Sequence, residues 1–394
     1  MRFIGHLHSR TAVLWILLGA LILSACGGQS QEAPMFRANP ARTGVFPSDG
    51  PTTLNELVWK FKTDGRIVSS PAVVDGVVYV GSSDGRLYAL DARTGRMKWS
   101  FRMFEFSEVS VYSSEDGSSP AVADGVVYVG SRDLWLSAKD PLLSAKPWRL
   151  SAIDDRISQE KWSFQTGGPV NSSPAVADGV VYVGSDDGRL YALDARTGQE
   201  KWSFQTDNDV FSSPAVADGV IYVGSRDGRL YALDARTGQE KWRFKTDGAV
   251  NSSPAVAGSM VYVGSGDGRL YALDTRTGQE KWSFQTDNDV YSSPAVADGV
   301  IYVGSYDGRL YALDARTGQE KWSFKTDGAV ASSPAVAGGV VYVGSGDGRL
   351  YALDARTGQE KWRFKTDGAV NSSPAVAGGM VYFGSLDGYL YAVR

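Results

Sequence analysis

SSPAVADGVIYVGSRDGRLYALDARTGQEKWRFKT, residues 212–246, is the stretch that decides the fold. It contains four short apolar runs: Ser212–Ala217, Val220–Gly224, Leu230–Asp234 and Glu240–Thr246. They are rich in Val, Tyr, Trp and Phe, which suit a pleated, half-buried surface. Asp218-Gly219, Asp227-Gly228 and Ala235-Arg236-Thr237-Gly238 separate them. Asp-Gly between apolar runs favours a tight hairpin, because glycine accepts positive φ. No window shows the 3.6-residue period of an amphipathic helix. The stretch therefore reads as a four-stranded antiparallel meander. In its third run Leu230 and Ala232 point to one face, and Tyr231 and Leu233 to the other. Both faces are apolar, so the sheet must be covered on both sides.

The same sentence recurs through the chain with a spacing of about forty residues. Its proline stands at Pro71, Pro120, Pro174, Pro214, Pro254, Pro294, Pro334 and Pro374. Its tryptophan stands at Trp59, Trp99, Trp162, Trp202, Trp242, Trp282, Trp322 and Trp362. A period of this length means stacked repeats, and four-stranded repeats covered on both faces mean radial stacking. The expected fold is all-β, an eight-bladed propeller of four-stranded antiparallel blades. The proline suits an inner strand whose free edge faces a central channel. The last copy stops at Leu390-Tyr391-Ala392-Val393-Arg394, one run short, and the missing Trp-x-Phe run stands at Leu57–Lys62. An N-terminal strand completing the last blade would close the ring. The propeller is expected over residues 54–394.

Outside the repeats the chain is unlike itself. Cys26, His6 and His8 are its one cysteine and two histidines. Arg2 and Arg10, an apolar run from Ala12 to Leu23, and then Leu23-Ser24-Ala25-Cys26 read as an export signal over residues 1–26. The apolar run is short for a membrane span. Leu-Ser-Ala-Cys resembles the bacterial lipobox, which implies acylation at Cys26 and a membrane anchor without a span. Residues 27–53 read as a tether and lead-in. A net charge of −4 gives no footprint for nucleic acid.

Ala232-Leu-Asp-Ala-Arg-Thr-Gly-Gln-Glu-Lys-Trp242 closely resembles the PQQ-type repeat, Ala-x-Asp-x-x-Thr-Gly-x-x-x-Trp, over about Leu57 to Arg394. Pro34 to Gly44 also looks like the lead-in of such propellers. The resemblance implies one of several kinds of protein, sensor ectodomains and polymer-binding proteins among them. Quinoprotein dehydrogenases of this family bind pyrroloquinoline quinone (PQQ) and calcium. BamB-like envelope lipoproteins bind neither and serve outer-membrane protein assembly. Fold alone does not choose between them.

The residues argue against chemistry. Past residue 26 the chain has no histidine and no cysteine, which removes Ser-His triads and His- or Cys-bound zinc. Calcium needs several convergent oxygens, and the aspartates recur once per blade, as structural turn residues would. Neither PQQ nor calcium is expected as a cofactor, and the chain is not expected to be an enzyme.

Function is expected where the copies differ. Residues 199–278 and 279–358 are nearly a straight duplication that differs at 211, 226, 243, 251, 259, 260 and 275. Positions just before Ser-Ser-Pro, such as Phe211 and Tyr291, and just after Gly-Ser, such as Arg226 and Tyr306, fall in loops on one face of a meander. Two insertions in the second copy, within Met103–Glu115 and Asp133–Trp148, belong by parity to that face. They carry Phe104, Phe106, Tyr112, Trp135 and Trp148, either as a binding surface or packed on one another as an apolar plug. The resulting expectation is a monomeric, exported, lipid-anchored propeller of the periplasm or cell surface. It would bind an envelope protein partner, or alternatively a polysaccharide or other ligand. A PQQ-dependent dehydrogenase is the third reading.

Overall fold

The computed structural model of the protein describes residues 35–103, 117–131 and 148–394. Among them, strands build eight four-stranded antiparallel sheets, with no helix. These are the blades of an eight-bladed β-propeller. Seven run in sequence order from an inner strand at the channel to an outer one, with blade 1 at 72–102, blade 2 at 121–165, blade 3 at 175–205 and blade 4 at 215–245. Blades 5, 6 and 7 follow at 255–285, 295–325 and 335–365. Blade 8 joins 375–393 to Leu57–Lys62, which pairs antiparallel with the third strand through Trp59↔Ala392, Lys60↔Tyr391 and Phe61↔Leu390. The N-terminal strand therefore completes the last blade, as the truncated final copy requires.

The two-faced third run does what its pattern demands. Leu230 and Ala232 pack into the core shared with blade 5, while Tyr231 and Leu233 pack into the core shared with blade 3. Each blade thus contributes to two cores.

A polar clasp tightens every such contact. Tyr182 Oη and Trp202 Nε1, from the second and outer strands of blade 3, both donate to the Ala235 carbonyl in the last turn of blade 4, each at 3.2 Å. Their rings lie 5.9 Å apart. The repeat glycine lets the tryptophan lie flat on that turn. Gly198 has φ +72°, and a Cβ there would sit 2.6 Å from the Trp162 ring of the preceding blade. Blade 8 lacks this turn, because its outer strand comes from the other end of the chain. The lead-in supplies a substitute: Tyr342 Oη and Trp362 Nε1 donate to the Pro51 carbonyl at 2.9 and 3.0 Å. Gly50 fits under Tyr342, since a Cβ there would meet the hydroxyl at 2.4 Å.

Blade 2 breaks the rule. It reads Asp154-Asp155-Arg156-Ile157-Ser158 where others read Asp-Ala-Arg-Thr-Gly, and Ser158 takes φ 55° in the glycine position. Ser158→Gly should raise stability by about 0.5–1 kcal/mol, and Gly198→Ala should lower it by about 1–3 kcal/mol, both read from urea midpoints.

A second tyrosine in each regular blade is tied to the loop aspartate. Tyr191 Oη donates to Asp187 Oδ2 at 2.7 Å, and Asp187 also accepts from the amides of Gly167 and Arg189. Burial, and then the bond to Asp187, pushes the Tyr191 phenol up. Burial raises Tyr182 and Tyr302 to about 12, helped by Asp178 and Asp298 respectively. The fold therefore favours the neutral phenol relative to an unfolded value of about 10. That stabilisation is complete below pH about 10 and is lost as pH climbs through the folded-state values. An alkaline titration should show the tyrosinate absorbance band rising together with loss of β-sheet circular dichroism, near or above pH 12.

Candidate binding face and channel

The hub of the propeller is a closed ring of serines. The amide of the second serine in each Ser-Ser-Pro donates to the hydroxyl of its counterpart in the next blade: Ser70 to Ser119, Ser119 to Ser173, Ser173 to Ser213, and Ser213 to Ser253. Ser253, Ser293, Ser333 and Ser373 continue the chain, and Ser373 returns it to Ser70 at 3.0 Å. These hydroxyls are buried and engaged by backbone. The first serine is also engaged, as when Ser172 Oγ accepts from the Gly184 amide at 3.0 Å.

Inside this ring the inner strands still present unpaired edges, which need partners. The lead-in provides them. The amides of Val216, Val256, Val296 and Val336, in blades 4 to 7, donate to the carbonyls of Pro40, Ala41, Thr43 and Gly44 at 2.8–2.9 Å. Two arginines reach the carbonyls that the amides leave over. Arg42 donates to Pro214 at 2.6 Å, Ser173 at 2.8 Å and Pro174 at 3.2 Å, bridging blades 3 and 4. Arg37 donates to Ser293 at 2.8 Å, to Pro294 and to Pro334, bridging blades 6 and 7. Both arginines are buried. Burial, and after it the charge of Arg42, pushes Arg37 down to about 9, and burial does the same to Arg42. Both remain protonated at neutral pH. Sequence reasoning treated residues 27–53 as tether and lead-in and did not single out these side chains. The described part of that segment, 35–53, packs on the propeller. Arg42→Met should cost about 2–4 kcal/mol in urea unfolding, because three buried carbonyls lose their donor. Arg42→Lys should not restore it, since one ammonium lacks the planar fork that bridges two blades.

The variable positions meet on one face. In blade 4 the Arg226 guanidinium lies 4.5 Å over the Phe211 ring and contacts Asp209 at 3.3 Å and Asn251 of blade 5 at 3.4 Å. In blade 6 Tyr291 and Tyr306 pack edge to face, with centroids 5.2 Å apart. In blade 3 Asn171 Nδ2 donates to Asp186 Oδ2 at 2.8 Å. The backbone dictates this pairing. The loop that enters each blade threads between two second-to-third-strand turns, with the Val210 amide on Ser185 of blade 3 and the Asp209 carbonyl on the Arg226 amide. Phe211 is 8% exposed, so it serves as the platform beneath Arg226 and not as a presented side chain. Arg226, Tyr291 and Tyr306 are half-buried. Trp148 is half-buried just before the third strand of blade 2, and its carbonyl accepts from the Thr166 amide at 2.9 Å. Cys26, Phe104, Phe106, Tyr112 and Trp135 lie outside the described residues.

Among the described residues no group of three or more His, Cys, Asp or Glu is placed to hold a metal ion. The hydroxyls and guanidinium groups that face the channel are bound to the protein's own backbone.

The fold defines a PQQ-type repeat propeller, and comparison with known proteins agrees. The chain belongs to the family described as "Outer membrane protein assembly factor BamB", whose model matches residues 52–160, 148–252, 227–333 and 326–394. It is 33% identical over 75 residues to the outer membrane protein assembly factor BamB of Burkholderia pseudomallei strain K96243, covering 19% of each chain. It is 28% identical over 137 residues to the quinohemoprotein alcohol dehydrogenase ADH-IIG of Pseudomonas putida, covering 33% of this chain and 17% of that one. The matched segments thus span less than a fifth of either curated relative. Among solved structures, BamB from Moraxella catarrhalis aligns with a TM-score of 0.69 at 21% identity, covering 86% of this chain and 99% of that one. Quinohemoprotein alcohol dehydrogenase from Comamonas testosteroni aligns with a TM-score of 0.75 at 17% identity, covering 92% and 80%. These likenesses establish the propeller and leave open the choice between scaffold and dehydrogenase.

Proposed function

We propose that this protein is a non-enzymatic, lipid-anchored scaffold of the cell envelope, acting as BamB-like proteins do in outer-membrane protein assembly. Its partner would be a protein bound on the variable face. One observation carries the reading. Polar groups that recur in every copy are engaged in structure, as in the serine ring and the turn clasps. Several groups that differ between copies, Phe211, Arg226, Asn251, Tyr291 and Tyr306, gather on one face. An aromatic–arginine surface on a rigid scaffold suits a protein hot spot. Membership of the BamB family supports the same reading, and the lipobox-like Leu23-Ser24-Ala25-Cys26 would supply the anchor.

The second reading, a polysaccharide ligand, is favoured by the Tyr291–Tyr306 pair beside Gly266, where a Cβ would come within 3.2 Å of Tyr291. The two readings part on what the purified protein retains: an outer-membrane barrel protein of the assembly machinery, or glycan. Arg226→Ala combined with Tyr306→Ala should weaken partner capture by about tenfold or more while leaving the melting temperature within about 2 °C. Unchanged capture would remove the face assignment. Quinone-dependent dye reduction after addition of PQQ and calcium would overturn the non-enzymatic reading.

A further inference from the structure

Three large apolar side chains are exposed on the described surface: Leu57, Met97 and Ile157, at 41, 53 and 61%. They are not scattered. Leu57 opens the outer strand of blade 8, Met97 opens that of blade 1, and Ile157 lies in the turn before that of blade 2. All three depart from the repeat. A regular copy has Glu200 or Glu240 where Leu57 and Met97 stand, and Thr197 or Thr237 where Ile157 stands. Neighbouring blades line them up along one rim. Trp59 Nε1 donates to the Ala92 carbonyl at 2.9 Å and Trp99 Nε1 to the Asp155 carbonyl at 2.7 Å, so each outer strand abuts the last turn of the next blade. The rim belongs to the hairpin face, opposite the variable positions.

The charge changes along with the apolarity. Blade 1 reads Arg96-Met97-Lys98 where blade 3 reads Gln199-Glu200-Lys201. In blade 3 Lys201 pairs with Asp194 at 3.6 Å, and Glu200 stands where blade 1 has Met97. In blade 1 Arg93, Arg96 and Lys98 are all exposed, and Arg93 and Lys98 both act on one acidic turn residue, Asp91. Exposed alkyl side chains, with Arg96 and Lys98 on either side of Met97 in sequence, match the interface of an anionic bilayer, where apolar groups enter the acyl boundary and cations meet phosphate.

We propose that the rim formed by blades 8, 1 and 2 docks on an anionic lipid surface and turns the variable face away from it. The proposal rests on the lipid-anchored part of the reading above. Eight residues separate Cys26 from Met35, a chain length of at most roughly 30 Å at full extension.

The test uses the purified full-length chain on vesicles of phosphatidylglycerol and phosphatidylethanolamine, with phosphatidylcholine vesicles as the neutral control. Hydrogen exchange is read by peptide. Exchange over residues 91–98 and 155–158 should slow about threefold or more on the anionic vesicles only, with residues 209–226 unaffected. Leu57→Glu, Met97→Glu and Ile157→Thr together restore the repeat residues. The triple variant should keep the parent melting temperature and still float with vesicles, yet lose that protection. No protection in the parent, or equal protection in the triple variant, overturns the proposal. Protection by a soluble envelope extract and not by vesicles also overturns it and assigns the rim to a protein partner. Failure of the anchor would be a separate result: a Cys26→Ser chain that floats as well as the parent removes the lipid anchor and leaves the rim measurement standing.

Discussion

Closure is the constraint on which this molecule depends. A blade cannot satisfy itself. Its tyrosine and tryptophan need a carbonyl in the next blade, and its serine amide needs the next hydroxyl. Such one-way hand-offs leave orphans unless the series returns to its start. The return from Ser373 to Ser70 is therefore part of every other bond in the ring. An open array of these repeats would leave unfilled acceptors at its first blade, unmatched donors at its last and an apolar blade face at both ends, the penalty that terminal repeats of solenoids must cap. Here the ring caps itself.

The same constraint explains why so many polar residues are unavailable for chemistry. Ser-Ser-Pro offers sixteen hydroxyls in principle, and a reader of the sequence could take some for nucleophiles. The second of each pair holds the preceding blade's amide, and the first commonly holds an amide of its own blade. The recurrent aspartates bind turn amides and threonine hydroxyls, as Asp194 does with Thr197. Side-chain bonding of this kind is what depresses the Asp194 carboxyl, so its displaced pKa reports a turn and not a catalytic group.

Much of the fold could be read directly because the repeat supplied its own control. Strand number, the Asp-Gly hairpins, the two-faced third run and the borrowed outer strand of blade 8 all follow from comparing copies. Strand parity puts Phe211, Arg226, Tyr291 and Tyr306 in loops of one face, and the contacts of Phe211 with Arg226 and of Tyr291 with Tyr306 come from the structure. What was not legible occurs once. Arg37, Arg42, Gly50 and Pro51 have no second copy to compare with, and nothing local in Phe36–Gly44 says that its guanidinium groups will face carbonyls some 130–300 residues away in sequence. The apolar rim was missed for a related reason. Leu57, Met97 and Ile157 look unremarkable singly, and only the closed ring sets blades 8, 1 and 2 side by side.

The lead-in has a further consequence. A chain of near-identical blades faces an assignment problem, because one blade can stand in for another and arrays of this kind change length by duplicating whole units. Pro40, Ala41, Thr43 and Gly44 meet blades 4, 5, 6 and 7 in turn, while Pro51 meets blade 7 from the seam. That segment has one length, and it spans a ring of one circumference. It is a gauge: a chain that gained or lost two blades could still hand its bonds around, but its Arg42 and Pro51 would no longer fall opposite the carbonyl and the indole that await them.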